Sequence, residues 1–153
     1  MKYWLIKSEP NEFSIDDLRN CPHKRDRWDG VRNYQARNMM RDEMKLDDPI
    51  FFYHSNCEVP GIVGLAKVVR EGYVDMSAFD PDDKHFDPKS DADNPRWIHV
   101  DVGFVRKLKR TISLAELKAQ ADRLGGFALT RRGNRLSVMP VGKAQWDYVL
   151  ALE

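Results

Sequence analysis

Apolar and polar positions alternate in short blocks along this chain, and the blocks change period from strand-like to helix-like and back. Tyr3-Trp4-Leu5-Ile6, bracketed by Lys2 and Lys7, is an aromatic and β-branched run stopped by Ser8-Glu9-Pro10, which predicts a first, central strand. Ser14 stands as an N-cap before Asp16 and Asp17, whose carboxylates complement the positive end of a short helix finishing near Asn20. A polar loop over 21–27 leads to Trp28. From Asn33 to Glu43 or Met44 the spacing is helical, directing Tyr34, Met40 and Met44 to a core and Arg37 and Arg41 to water. Asp47-Asp48-Pro49 marks a turn, and Ile50-Phe51-Phe52-Tyr53 is too short for a helix and reads as a buried strand.

Pro60-Gly61 opens a further strand over 62–69, with Gly64 marking a bend or a close backbone approach. Residues 71–94 are aspartate-rich and punctuated by Asp80-Pro81, Asp87-Pro88 and Asn94-Pro95, so they read as a long loop. A connection of that length is functional or disordered, and Phe79 and Phe86 favour a loop packed down as a flap beside a pocket. Residues 97–105 alternate as a strand, and the basic run 106–110 reads as a turn into Ser113-Leu114-Ala115-Glu116, a capping box. Gly125-Gly126 ends that helix. Residues 136–139 predict a last strand broken by Pro140, and 142–150 a closing helix. No repeat or linker interrupts the series, so the order describes one α+β domain, residues 1–153, on a curved sheet.

Composition narrows the class. Cys21 and Cys57 form neither a disulfide framework nor a Cys-x-x-Cys metal pattern, which fits reduced thiols in a cytoplasmic setting. No segment approaches the roughly 20 apolar residues of a membrane span, and the chain reads straight into a strand rather than a signal peptide. A net charge of +1 excludes strong sequence-independent attraction to phosphates. That charge is nonetheless separated, with a net of +6 over 94–153 and −5 over the first 93 residues. The basic residues gather at Arg106, Lys107, Lys109 and Arg110 and at Arg131, Arg132 and Arg135, two candidate surfaces for a nucleic-acid backbone.

Catalytic and metal patterns are sparse. His54-Ser55 lacks a nucleophile elbow, and neighbours on a strand face opposite ways. Cys57 near His54 is a dyad by spacing alone, with nothing to lower the thiol's pKa. His23, His54, His85 and His99 share no metal-ligand spacing, and the aspartates at 80–93 lack the glycine and closing glutamate of a calcium loop. Neither a metal nor a cofactor is expected. Two clusters point instead to binding. Trp28-Asp29-Gly30 offers an aromatic and a sharp turn ahead of a helix start, followed by Arg32, Asn33, Gln35, Arg37 and Asn38. Phe52-Tyr53-His54-Ser55-Asn56 ends a strand. Together they suggest a pocket for a flat, polar ligand such as a nucleobase. Trp4, Trp97 and Trp146 read as core.

These stretches resemble the EVE domain family. The resemblance spans nearly the whole chain and rests on residues 3–10, 14–18, 28–38, 52–56, 60–64, 79–81, 86–90, 94–97 and 135–138. It implies an α+β, PUA-like fold, a strongly bent mixed β-barrel surrounded by short helices and related to the YTH domains. It also implies a non-enzymatic module that binds DNA or RNA carrying a modified, methylated base. By motif position it places Lys7, Ser8, Trp28, Asn33, Tyr53, His54, Ser55 and Phe86 around the base, in an aromatic cage with Trp28 as a wall. Arg32, Arg37 and the two basic segments would hold the backbone. Departures from the family pattern are His85, where a second aromatic is common, and Met139, where a polar residue is expected. Two other readings stay open: an enzyme or sensor for a nucleoside-like small molecule, with His54 as general base and Asp29 or Asp101 as its partner, and a protein-interaction module using the acidic flap. A monomer is the expectation.

Overall fold

The apolar runs found in the sequence lie side by side as inner strands of one six-stranded mixed sheet in the computed structural model, which describes residues 1–153. Strand β1 (Tyr3–Ser8) runs parallel to β3 (Pro49–His54), setting Trp4 opposite Ile50 and Ser8 opposite His54. Strand β4 (Gly61–Val74) is antiparallel to β3, and β5 (Ile98–Ser113) is antiparallel to β4. Short strands finish the two edges, β2 (Arg25–Arg27) on β5 and β6 (Val138–Val141) on β1. The order is β2-β5-β4-β3-β1-β6, and the sheet is not closed between β2 and β6. The α+β, PUA-like arrangement is therefore present as a bent open sheet, and four register irregularities along the β4–β5 pair supply local twist and bend.

Side-chain parity divides the core into two layers. Trp4, Ile6, Ile50 and Phe52 face one layer, which α1 (Ile15–Asn20) and α2 (Tyr34–Asp42) cover with Ile15, Leu18, Met39 and Met40. Leu5, Phe51 and Tyr53 face the other, covered by α3 (Leu114–Ala119), α4 (Ala121–Leu124) and α5 (Lys143–Leu152) through Leu117, Leu124 and Trp146. Each fully buried aliphatic or aromatic side chain contributes about 1.5–3 kcal/mol relative to exposure. The buried polar group Asp48 is satisfied, accepting from the Trp4 indole at 3.0 Å and the Lys45 amide at 2.9 Å. No helix is long and apolar enough to cross a membrane.

The cap expected at Ser14 forms, while the box expected at Ser113 and Glu116 forms by half: Ser113 Oγ accepts from the Glu116 amide at 3.1 Å, and the Glu116 carboxylate accepts from Arg110 instead. Ser14 Oγ accepts from the Asp17 amide at 3.1 Å while the Asp17 carboxylate accepts from the Ser14 amide at 2.8 Å. Asn33 Oδ1 accepts from the Ala36 amide at 2.9 Å and starts α2.

Several expectations are corrected. The loop over 21–27 contains a 3₁₀ turn and β2, because the backbone of 25–27 pairs with Asp101, Val102 and Gly103. The supposed basic turn at 106–110 is the continuation of β5, held by pairing with β4, and β4 itself runs on to Val74. Tyr34 is 51% exposed rather than core, as the first residue of α2, where it stacks on Trp97 at 4.9 Å. The single helix expected after Ser113 is split at Gln120 into α3 and α4. Pro140 lies within β6, which tolerates it as an edge strand with one side unpaired. Met139 is fully buried in the second layer, which explains an apolar residue at that position.

Candidate functional site

The end of β1 and the turn after β2 meet beside the flap and border an open cavity of about 1010 Å³. Trp28 lines it although only 9% exposed, its ring held edge-on by Phe52 at 5.6 Å and Phe13 at 6.1 Å. Its amide donates to Val100 O at 2.9 Å, so the turn leaves the sheet at a fixed point. Gly30 follows with φ of +79°, and a Cβ there would come within 2.5 Å of the His85 ring. Glycine is thus required both for the backbone and for the approach of the flap.

A charged cluster fastens the flap to this turn. Asp75 Oδ2 accepts from the Gly30 amide and from Arg32 Nη1, both at 2.9 Å, and Arg32 Nε and Nη2 donate to His85 O at 3.1 and 2.6 Å. Burial alone would raise the Asp75 pKa, but the donors Arg32, Ser77 and Gly30 outweigh it and bring it down to about 2. At the cavity's rim, Lys84 Nζ pairs with Glu12 at 2.8 Å and ties the flap to the segment after β1. Of the loop expected to pack beside a pocket, residues 82–85 line this cavity.

Of the residues assigned to the base, four line this cavity: Lys7, Ser8, Trp28 and Asn33. Ser8 Oγ donates to Phe13 O at 2.6 Å and keeps acceptor capacity, while Asn33 engages its carbonyl in the α2 cap and retains its amide donors. Lys7 borders the cavity, but its ammonium lies 5.7 Å from the centre of the Tyr53 ring, on the second-layer face of the sheet and away from the base, and partial burial lowers its pKa.

The other four do not reach it. Tyr53 is 3% exposed in the second layer, on the opposite face of β3 from Phe52, and burial pushes its phenol up to about 12. His54 Nε2 accepts from the Ile15 amide at 3.1 Å, at the start of α1, and burial lowers its pKa. Ser55 donates its backbone amide to Ser8 O and lies outside the cavity, as does Phe86, whose neighbour His85 enters instead. Phe13, His85 and Ser137 are lining residues that the pattern did not assign to the base. For Ser137 the signal lay in the pairing of Lys7 N with Ser137 O, which no local motif announces.

The basic residues separate into engaged and free. Arg106 is held by Glu153 at 2.7 and 2.8 Å, Arg110 by Glu116 at the same distances, and Lys107 by Asp16 at 3.1 Å. Lys109 engages Glu153 through its backbone amide at 2.8 Å and its ammonium has no carboxylate partner, so three of the four cations of 106–110 are neutralised. Arg32 is committed to the flap, and Arg37 donates to Arg96 O at 2.6 Å and Asn38 Oδ1 at 2.9 Å. Arg131, Arg132 and Arg135 instead line a second groove of about 850 Å³ with Gln35, and Asn33 borders both cavities. Arg131 donates to Gly126 O at 3.1 Å, whereas Arg132 and Arg135 are exposed and have no carboxylate partner.

An enzymatic constellation around His54 does not assemble. Its imidazole is tied to α1, Asp101 accepts from Tyr73 Oη at 2.6 Å elsewhere on the sheet, and Asp29 lies in the cavity that His54 does not enter. Cys21 and Cys57 are free thiols.

The same arrangement recurs in known proteins. The EVE domain matches residues 2–152. The chain belongs to the EVE domain family. This EVE protein is 51% identical to rat thymocyte nuclear protein 1, over 99% of the chain and 73% of that protein, and 49% identical to the human protein over the same shares. A Pseudomonas syringae structure is 49% identical and superposes with a TM-score of 0.92, covering 98% of each chain. Human THYN1, solved in complex with 5-methylcytosine containing DNA, is 47% identical with a TM-score of 0.91, over 99% of this chain and 97% of that one.

Proposed function

We propose that this EVE protein is a non-enzymatic nucleic-acid-binding module that takes one methylated base, 5-methylcytosine in DNA, into the cavity beside Trp28. The observation that carries this reading is the cavity itself, where a fixed indole borders Ser8 and Asn33 with hydrogen-bonding capacity to spare. Its volume, about 1010 Å³, admits a nucleotide. The DNA complex of the human relative supports the ligand class. RNA is the competing polymer, and the same cavity would seat its bases.

The base is neutral, so contact with Trp28 acts through dispersion and desolvation, about 1–3 kcal/mol for a stacked base. Burying the extra methyl adds about 0.8 kcal/mol, roughly a fourfold preference over cytosine. With the base in the first cavity, the adjoining chain crosses Asn33 into the second groove, where Arg131, Arg132 and Arg135 meet phosphates.

Titration of short DNA and RNA strands containing cytosine or 5-methylcytosine, followed by tryptophan fluorescence, tests this reading. The native protein binds the methylated DNA strand most tightly, and Trp28→Phe, which keeps an aromatic against Phe13 and Phe52, weakens binding with little loss of stability. Equal affinity for methylated and plain strands overturns the reading.

A further inference from the structure

Six carboxylates line the cavity: Glu9, Glu12, Asp26, Asp29, Asp82 and Asp83. Four are engaged by the protein. Glu9 accepts from Asn56 Nδ2 at 2.6 Å, Glu12 pairs with Lys84 at 2.8 Å, Asp26 accepts from the Arg27 amide at 2.8 Å, and Asp83 accepts from the His85 amide at 2.8 Å. Asp82 is exposed on the flap. Asp29 alone is half-buried and without a hydrogen-bond or ion-pair partner, and it stands between the indole wall, Trp28, and the glycine under the flap, Gly30.

The Asp29 carboxylate is open to the cavity and has no protein donor within hydrogen-bond distance, so it is free to accept an N–H that a ligand brings. Methyl burial cannot supply base identity, because thymine and 5-methylcytosine carry the same methyl on rings of nearly the same size. They differ at position 4, where cytosine presents an amino donor and thymine a carbonyl acceptor. Opposite a carboxylate the amino group is attracted and the carbonyl repelled.

We infer that Asp29 is the specificity-determining residue of the cavity, accepting a hydrogen bond from the exocyclic amino group of the bound base and so excluding thymine and uracil. This assignment rests on the proposal that the cavity seats a base. The carboxylate also disfavours a phosphate in the cavity, which is consistent with a backbone path along the second groove, where Arg132 and Arg135 lack carboxylate partners.

The test uses single-stranded DNAs identical except for one central 5-methylcytosine, cytosine or thymine, with the native chain, Asp29→Asn and Asp29→Ala. The native protein prefers 5-methylcytosine over thymine by about tenfold or more, the size of a hydrogen bond to a charged group. A carboxamide offers either a donor or an acceptor, so Asp29→Asn brings the two strands within about threefold of each other by gaining affinity for thymine. Asp29→Ala loses the discrimination without that gain. Thermal unfolding of both variants at the native midpoint separates these effects from misfolding. If the native protein favours 5-methylcytosine and both variants keep the native discrimination against thymine, the role of Asp29 is overturned while the base-binding reading stands. If the native protein distinguishes none of the three strands, both fall.

Discussion

Asp75 shows what a single side chain does for this site. It is nearly inaccessible to water and accepts from Arg32, from the Gly30 amide and from Ser77, so one carboxylate joins the turn after Trp28 to the root of the flap. Its pKa of about 2 in the folded protein lies below the value near 3.9 expected when unfolded. The folded state therefore favours the ionised form, and the resulting stabilisation, about 2–3 kcal/mol, is complete above about pH 5 and is lost as pH falls through 2. Asp75→Asn leaves Arg32 without its counter-charge in a poorly hydrated place, and a loss of about 3 kcal/mol in unfolding free energy is expected at pH 7. Urea unfolding of both proteins at pH 7 and pH 3 checks this, with the difference shrinking at the lower pH. An unchanged difference would mean that Asp75 acts through packing rather than charge.

At the scale of elements, β4 is the strand on which the site's framework depends, and Gly64 is one of its crowded positions. A Cβ there would stand 2.7 Å from Ile15 Cγ1 and 3.0 Å from Arg106 O, so the strand touches α1 and β5 at once. Gly64→Val is expected to cost at least about 2 kcal/mol by overpacking and to displace α1, which is seen as a lower unfolding midpoint with loss of near-ultraviolet ellipticity. The sequence marked Gly64 as a bend or close approach because glycine inside a strand run has few other reasons to be there. Strand and helix identities were legible for the same kind of reason: caps such as Ser14 and Ser113, and runs such as 50–53, act over a few residues. The faces were not legible. Four consecutive apolar residues carry no alternation, so nothing in Ile50-Phe51-Phe52-Tyr53 tells which of Phe52 and Tyr53 meets Trp28. The partners of Arg106 and Lys107 lie 47 and 91 residues away, which made a neutralised strand look like a free basic patch.

Across the whole molecule, the separation of charge acquires a direction only after these pairings are counted. Six carboxylates line the cavity against four basic side chains, and Arg132 and Arg135 stay unpaired on the groove that Asn33 joins to it. A strand bound as proposed keeps its base near the acidic side and its phosphates on the basic side, which fixes the side of the site on which the backbone lies. Three phosphate contacts from Arg131, Arg132 and Arg135 predict a slope of roughly −2 in log affinity against log salt for single-stranded DNA. Arg132→Ala with Arg135→Ala removes two of them, weakening all strands about equally and flattening the slope by more than one unit, while the ratio of methylated to plain affinity stays at its native value. Arg106→Ala with Arg110→Ala, in which both arginines already face carboxylates, leaves slope and ratio near native. Equilibrium titrations at several salt concentrations distinguish the pairs. If the second double variant flattens the slope and the first does not, the backbone runs along β5 instead, and the path from cavity to groove through Asn33 is wrong.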